Sequence, residues 1–160
     1  MIFVSAGTQL PFDRFIKILD DIARTTDEEI VAQAIPGQYE PNNFKLLAKI
    51  PTDQFNEYVD KARIVAAHAG MGCILTAMLK SKPIVIFPRL AQLGEHRNDH
   101  QTATARHFEE MGQVHVAWDE DSLRQLVTNN ELKSLNTVGP DASEELRSFV
   151  ESFIEKSKKQ

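Results

Sequence analysis

The chain has 160 residues, the length of a single domain rather than of two. Hydrophobic residues make up 42% of the sequence and charged residues 26%, a balance typical of globular proteins that excludes disordered and collagen-like chains. The net charge of -5 argues against nucleic acid or anionic lipid as a direct partner, because such surfaces attract basic proteins.

Short apolar segments alternate with amphipathic segments along the chain. This alternation is typical of an α/β protein in which a Rossmann-like, open parallel sheet carries helices on both faces. The apolar runs predict strands at residues 2–5, 29–35, 44–50, 63–67, 83–87 and 114–118. Helical spacing predicts helices that begin after Pro11, at 53–62, 74–80 and 99–111, near 119–122, and over about 141–157. We therefore expect one domain over residues 1–160.

The apolar runs and the cysteine content bound the location of the protein. No run approaches the ~18 apolar residues of a membrane span, and no basic segment of a targeting peptide precedes the first strand. Cys73 is the only cysteine, which excludes an intrachain disulfide and a cysteine-rich zinc site. These features predict a cytoplasmic protein that has no membrane span of its own.

A first candidate binding segment follows the first strand. Gly7, Thr8 and Gln9 lie where this strand turns towards a helix. Backbone amides at such a turn, together with the helix dipole, favour a phosphate or a sugar hydroxyl. The same residues also suit a plain connecting turn, and the sequence alone leaves both interpretations open.

A second and more specific candidate runs from residue 68 to residue 73, between the fourth strand and the next helix. Gly70 and Gly72 let a ligand approach the main chain, and the amides around Met71 at the start of the helix suit a diphosphate. A third glycine is missing and the segment follows the fourth strand, which argues against an NAD site. His68 suits either a phosphate contact or a hydrogen bond to a backbone carbonyl.

Cys73 lies at the predicted start of a helix. A helix N-terminus lowers the pKa of a thiol, which would favour a reactive cysteine. We prefer the interpretation as a small buried residue, because no base follows at a spacing that implies contact with the thiol.

A third candidate is the polar stretch that follows the fifth strand. It includes Arg89, Asn98, Asp99, His100 and Gln101. So many polar side chains at one strand–helix junction predict contact with a ligand, with solvent or with another subunit. His96 and His100 are four residues apart, but no compact third ligand accompanies them, so we predict no metal site.

Four segments, in this order, resemble the glycosyltransferase family 28 C-terminal domain. They are residues 2–14, 68–72, 82–89 and 95–101. More narrowly, they resemble the stand-alone small subunits of two-chain glycosyltransferases that build bacterial polysaccharides or dolichol-linked glycans. The resemblance covers residue 1 to about residue 118 and implies the C-terminal, donor-binding half of a GT-B fold.

The resemblance also implies a function. The expected protein is a hexosyltransferase subunit that binds a UDP-sugar donor and serves a lipid-linked acceptor. It requires no cofactor and no metal, and it reaches the membrane only through a membrane-anchored, acceptor-binding subunit that carries the general base. By analogy, the turns at residues 7–9 and 68–72 flank the diphosphate, and Asp99, His100 and Gln101 face hydroxyls of the donor sugar.

Two residues depart from the family pattern. Thr76 stands where the wider family often has a glutamate that binds the ribose, so ribose recognition does not carry over to this position. Cys73 stands where serine or threonine is usual, which weakens a phosphate hydrogen bond. The alternative interpretations are a non-catalytic nucleotide-sugar-binding scaffold and an NAD-dependent oxidoreductase, and the placement of the glycines argues against the second.

Overall fold

A computed structural model of the chain describes residues 1–135, 144, 147–148 and 151–152. The strands are β1 (Ile2–Gly7), β2 (Ile30–Ala34), β3 (Lys45–Leu47), β4 (Ile64–Ala67), β5 (Ile84–Ile86) and β6 (His115–Val116). They form one parallel sheet in the order β3-β2-β1-β4-β5-β6. This is the strand order of a doubly wound, Rossmann-like sheet, so the predicted fold class is confirmed.

Helices cover both faces of this sheet. They are α1 (Asp13–Ala23), α2 (Thr52–Lys61), α3 (Met71–Leu79), α4 (His100–Glu110) and α5 (Glu120–Thr128), with a 3₁₀ turn at Ala91–Leu93. Helices α1 and α5 pack on one face, and α2, α3 and α4 pack on the other. The connections between parallel strands must cross from one end of the sheet to the other, which places a helix after most strands.

Two apolar cores result from the alternation of side chains along each strand. Val4 faces α1, where the rings of Phe12, Phe15 and Phe87 lie with their centroids 5.2, 5.5 and 5.9 Å apart. Phe3 faces the opposite side and stacks on Tyr58 of α2 at 5.4 Å. The sheet is therefore held between two packed layers, and its carboxyl edge stays accessible between the helix ends.

The observed elements differ from the predicted ones mainly at their ends. Helix α3 begins at Met71 rather than at residue 74, because Gly70 already has the extended backbone of an N-cap, with φ -90° and ψ 127°. Helix α2 includes Thr52, and Pro51 at its N-cap provides no side-chain cap. Strands β3 and β6 are shorter than predicted, with three and two residues.

The predicted helix over about 141–157 falls largely outside the described residues. Within that interval Glu144, Arg147, Ser148, Glu151 and Ser152 are described, and they are helical and exposed. Among the described residues, no helix combines the length and the apolar character that crossing a membrane requires.

Trp118, which follows β6, marks the outer edge of the sheet. The guanidinium carbon of Arg106 lies 4.7 Å from the centroid of its indole ring, within the range of a cation–π contact. The indole Nε1–H donates to the carboxylate of Glu109, at 3.1 Å from Oε1. These contacts join the end of the sheet to α4.

Candidate functional site

A cavity of about 490 Å³ opens at the carboxyl edge of the sheet. The ends of β1 and β4 form its centre. Strand β1 has β2 on one side and β4 on the other, so the chain connections change direction at this point of the sheet. Ligands of open α/β sheets bind in the crevice at such a point. The cavity also falls in the size range of small-molecule sites, which is roughly 300–1,000 Å³.

The turn after β1 forms one wall of the cavity. Gly7 has φ +87° and interrupts the register between β1 and β2, a conformation that a residue with a side chain rarely adopts. Thr8 and Gln9 follow it, line the cavity and are exposed. Their backbone amides donate no hydrogen bond to the described residues. The turn therefore presents free N–H groups to the cavity.

His68 ties the turn after β4 to β1. Its Nδ1 lies 3.0 Å from the carbonyl oxygen of Ser5, which selects the backbone-bonded alternative for this residue. A Cβ atom added to Gly70 would lie 2.1 Å from Nε2 of His68, and one added to Gly7 would lie 3.0 Å from it. Both glycines are therefore needed to accommodate the imidazole ring, which fills the space between the two turns.

His68 is neutral at physiological pH. Burial lowers its pKa to about 4, an effect only partly offset by the hydrogen bond with the Ser5 carbonyl. The Nδ1–H group donates to that carbonyl, so Nε2 is left as an acceptor. In this state the imidazole supplies no positive charge to an anion.

The N-terminus of α3 points its amides towards the same cavity. No side chain caps this helix, so the N–H groups of Met71, Gly72 and Cys73 lack an intrahelical acceptor. Gly72 lines the cavity and is exposed, and a Cβ atom added there would meet nothing within 4 Å. Met71 itself is not part of the lining. Free amides and a helix dipole together favour a bound anion.

Cys73 lies on the floor of the cavity with 6% of its surface exposed. Burial raises the pKa of its thiol to about 12, although a hydrogen bond with Ser5 partly opposes this. The thiol therefore stays protonated and unreactive, which agrees with the predicted role as a small buried residue.

Arg89 holds two cavity loops together. Its guanidinium nitrogen Nη2 donates to the carbonyls of Ala6 and Leu10, at 2.7 Å each, and Nη1 donates to those of Pro11 and Glu95. Burial lowers its pKa to about 10, so the group is still charged at neutral pH. Although Arg89 lines the cavity, its terminal N–H groups are occupied by backbone carbonyls at the end of β1, in the turn that follows it and at Glu95.

Gln101 is the best-placed side chain of the polar stretch before α4. It lines the cavity with 8% exposed surface, and its Oε1 accepts the backbone N–H of Arg89 at 3.1 Å. Its amide nitrogen has no partner among the described residues and is free to donate. Since this nitrogen is not closed off from the cavity, it suits a hydroxyl or carbonyl oxygen of a ligand.

The residues just before Gln101 do not line the cavity. Asn98, Asp99 and His100 are exposed, and Oδ1 of Asn98 accepts the backbone N–H of His100 at 3.1 Å, so this asparagine shapes the start of α4. His96 does line the cavity, and its Nδ1 lies 3.1 Å from the carbonyl of Asn98. The described residues contain no group of three His, Cys, Asp or Glu side chains that would hold a metal ion.

Sequence reasoning missed the part of the cavity beside β2 and α2. Its lining includes Ser5, Gln33, Ile50, Thr52 and Phe55. These residues belong to no motif, and only the strand order brings them to the ends of β1 and β4. One signal was present in the sequence, since Gln33 is a single polar residue within an otherwise apolar strand.

Comparison with known families extends this picture. The model of the glycosyltransferase family 28 C-terminal domain matches residues 1–157. The chain belongs to this family. No curated protein sequence gives a significant match.

Several solved structures share the fold of this family 28 domain. Over 81% of the chain it is similar to the glycotransferase of kitacinnamycin, with 21% identity and a TM-score of 0.59. It is also similar to MurG of Acinetobacter baumannii, over 82% of the chain, with 19% identity and a TM-score of 0.60. A third similar structure is ALG13, with 17% identity, a TM-score of 0.57 and 93% of each chain covered.

The chain covers very different shares of these three structures. The family 28 domain spans 34% of the kitacinnamycin enzyme and 42% of MurG, whereas it spans nearly all of ALG13. The match to the family 28 C-terminal domain and the fold shared with these glycosyltransferases confirm the predicted C-terminal half of a GT-B fold, and membership of the family supports a role in sugar transfer.

Proposed function

We propose that this chain is the donor-binding subunit of a two-chain glycosyltransferase. It binds a UDP-sugar, and a membrane-anchored partner binds the lipid-linked acceptor in polysaccharide or glycan synthesis. The observation that carries the proposal is the cavity at the ends of β1 and β4, where two glycine turns and the uncapped N-terminus of α3 meet.

The diphosphate fits the centre of the cavity. The free amides of Thr8, Gly72 and Cys73 line this part of the site, and the dipole of α3 adds a positive potential. Fixed donors of this kind stabilise charge that develops on a leaving diphosphate, without reorganisation during the reaction. Backbone groups and the helix dipole thus take the electrostatic role, since His68 is neutral and Arg89 is bound to carbonyls.

The two ends of the cavity differ in chemistry. Gln101 and His96 lie at the β5–α4 end, and their polar groups suit the hydroxyls of a sugar. Ile50 and Phe55 lie at the opposite end, beside β2 and α2, and give it the apolar surface that a flat base requires. We therefore place the donor sugar beside α4 and the nucleoside beside α2.

The acceptor hydroxyl needs a general base to take its proton as the bond to the donor sugar forms. Within the described lining of the cavity, the titratable groups are His68, Cys73, Arg89 and His96. Cys73 is protonated, Arg89 is cationic and burial lowers the pKa of His68 to about 4, so none of these three takes up a proton readily. The Nδ1 atom of His96 lies 3.1 Å from the carbonyl of Asn98, so this ring is held by the loop before α4. We assign the base to the partner subunit, and we expect the purified chain alone to transfer almost no sugar.

Isothermal calorimetry with UDP and UDP-sugars tests donor binding directly. The wild-type chain is expected to bind UDP, and Gly72→Val is expected to weaken binding by at least ten-fold, because the added side chain projects into the cavity. Ala103→Val, on the exposed face of α4 and away from the cavity, serves as the control and should bind as the wild type does. A wild-type chain that does not bind UDP would rule out the proposed function.

Transfer assays with and without the partner distinguish catalysis from a scaffold role. If the chain provides the donor site, Gly72→Val and Gln101→Ala lower the activity of the complex while leaving its assembly intact. A complex that keeps full activity with both variants would instead favour the non-catalytic scaffold. Ordinary turnover by the chain without any partner would contradict the two-chain site.

A further inference from the structure

Gln33 is a polar side chain buried at the nucleoside end of the cavity. It lies on β2 with 4% of its surface exposed, opposite Ser5 of β1 in the register of the sheet. Because Phe3 and Val31 face the layer of α2 and α3, the alternation along the strands directs Ser5 and Gln33 to that same face. Both line the cavity, beside Phe55 of α2.

A long hydrogen bond from Ser5 favours one orientation of the Gln33 amide. The hydroxyl of Ser5 donates to Oε1 of Gln33 at 3.4 Å, and Ser5 also bonds the thiol of Cys73. The oxygen of the amide is therefore directed towards β1. The amide nitrogen has no partner among the described residues, and only 4% of the surface of Gln33 is exposed.

Among the described residues, the hydroxyl of Ser134 is the only buried side-chain polar atom without a partner, so the Gln33 amide nitrogen still reaches the open space of the cavity and is available to a ligand there. Gln33 is well suited to a ligand contact, because its backbone belongs to a strand and its oxygen is already bonded. A donor held on a rigid element discriminates between ligands better than one on a loop. It lies away from Gln101, which occupies the opposite end of the cavity.

We propose that Gln33 is a specificity-determining residue that donates a hydrogen bond from its side-chain amide to an acceptor oxygen of the nucleoside. This inference rests on the proposed function, since it assumes that a UDP-sugar occupies the cavity. A carbonyl at position 4 of the base is such an acceptor in uracil, whereas cytosine has an amino group there, which is a donor. The 2-carbonyl and the ribose hydroxyls are acceptors common to both nucleosides.

Calorimetry with UDP, CDP and inorganic pyrophosphate tests the inference. Gln33→Met keeps the length of the side chain and removes the donor, so UDP is expected to bind about ten-fold more weakly. Pyrophosphate, which lacks a nucleoside, is expected to bind the variant and the wild type equally. Thermal unfolding of both proteins checks that the variant is folded, and Ser5→Ala is expected to weaken UDP binding less, because the donor itself remains.

The outcomes separate this inference from the proposed function. Equal UDP affinity of wild type and Gln33→Met would overturn the role of Gln33 and leave the proposed function standing. Equal losses of affinity for UDP and for pyrophosphate in Gln33→Met would do the same. A wild-type chain that does not bind UDP would overturn both. A preference for UDP over CDP that disappears in Gln33→Met would support the contact at the 4-carbonyl, and an equal loss for the two nucleotides would support the shared oxygens.

Discussion

His68 and the two glycines beside it act as one unit. The imidazole is bonded to the Ser5 carbonyl and fills the space next to Gly7 and Gly70, so the second turn is built around a side chain rather than around a ligand. Gly72 has the opposite character, because nothing in the chain restricts its Cβ position. Gly7 and Gly70 therefore serve the packing of His68, whereas Gly72 leaves the cavity open.

The first prediction concerns Gly70. Its backbone has φ -90°, which other residues adopt readily, and the three atoms nearest to an added Cβ all belong to the ring of His68, so this ring is the main obstacle to a side chain. Gly70→Ala is expected to lower the free energy of unfolding by about 1–3 kcal/mol, as overpacking does. In a His68→Ala background the same change should cost at least about 1 kcal/mol less. Urea unfolding of the four proteins measures this coupling, and strict additivity would contradict the contact.

The second prediction concerns pH. His68 binds a proton near pH 6.5 in the unfolded chain but only near pH 4 in the folded one, so the unfolded state takes up more protons between these values. The stability that neutral His68 contributes is therefore fully present above pH 6.5. It is lost as the pH falls, so the free energy of unfolding decreases by about 2 kcal/mol between pH 7 and 4.5. His68→Gln should lose correspondingly less over this interval in urea unfolding. Parallel losses in the two proteins would show that His68 is not the group responsible.

Other groups lose their contribution at a lower pH. Hydrogen bonds from Arg63 hold the pKa of Glu28 below its ordinary value of 4.5. The stability that this ion pair contributes is present above that ordinary value and disappears below it. The interval from pH 6.5 to 4.5 therefore reports mainly on histidine.

At the level of the elements, Arg89 joins the end of β5 to the turn between β1 and α1. Arg14 of α1 adds a second link, since its guanidinium donates to both carboxylate oxygens of Glu95 and lies 4.2 Å from the centroid of Phe87. Glu95 also accepts the backbone N–H of Leu90 at 2.9 Å. Two walls of the cavity are thus connected by charge-assisted hydrogen bonds, which are stronger than neutral ones.

The third prediction concerns this link. Arg89→Met removes four donors from backbone carbonyls of the two loops, so the free energy of unfolding is expected to fall by about 3 kcal/mol. Arg97→Met is the matched control, because Arg97 is exposed in the same loop, and it should change stability by no more than about 0.5 kcal/mol. Denaturant unfolding measures both. Equal stability of the two variants would contradict the linking role of Arg89.

The sequence predicted the helices and strands better than their first and last residues. It also predicted the two glycine turns of the cavity better than the rest of the cavity lining. Most of the strands were found because they lie within apolar runs, and at the predicted start of α5 the structure shows a reciprocal cap between Asp119 and Ser122. The start of α3 was missed since Met71, Gly72 and Cys73 carry no helical periodicity. Contacts such as those of Arg89 with the β1–α1 turn join residues far apart in the chain, so no local pattern reveals them.

The cavity was predicted only in part for the same reason. The two glycine turns are short motifs, and they were located from the sequence. The wall formed by Gln33, Ile50 and Phe55 depends on β2 lying beside β1, and on α2 packing over the same face. The exposed positions of Asn98 and His100 depend on where α4 begins, which periodicity leaves open by several residues.

At the level of the whole molecule, the described residues form one parallel sheet whose carboxyl edge opens into the cavity. The lining of this cavity combines backbone groups and side-chain amides with a few apolar and basic side chains, and its described residues contain no carboxylate. Such a lining suits the negative charge of a donor nucleotide despite the net charge of -5 of the chain. Donor affinity should therefore depend on the local arrangement of amides rather than on the overall charge.

The fourth prediction follows from linkage between binding and folding. UDP at a concentration of 100 times its Kd is expected to stabilise the chain by about 2.7 kcal/mol, which raises Tm by roughly 5–10 °C for a domain of this size. Gly72→Val should have nearly the wild-type Tm without UDP and a much smaller rise with it. Calorimetric melting with and without UDP measures both values. An equal rise in the two proteins would place UDP outside the cavity.

The fluorescence of the single tryptophan reports on the fold of this molecule rather than on its cavity. Trp118 lies at the outer edge of the sheet against Arg106 and Glu109, and it is not part of the cavity lining. Its fluorescence should consequently change when the chain unfolds and stay nearly constant when a nucleotide enters. Emission spectra recorded during a titration would then monitor the integrity of the fold, while occupancy would have to be followed by a signal from the ligand.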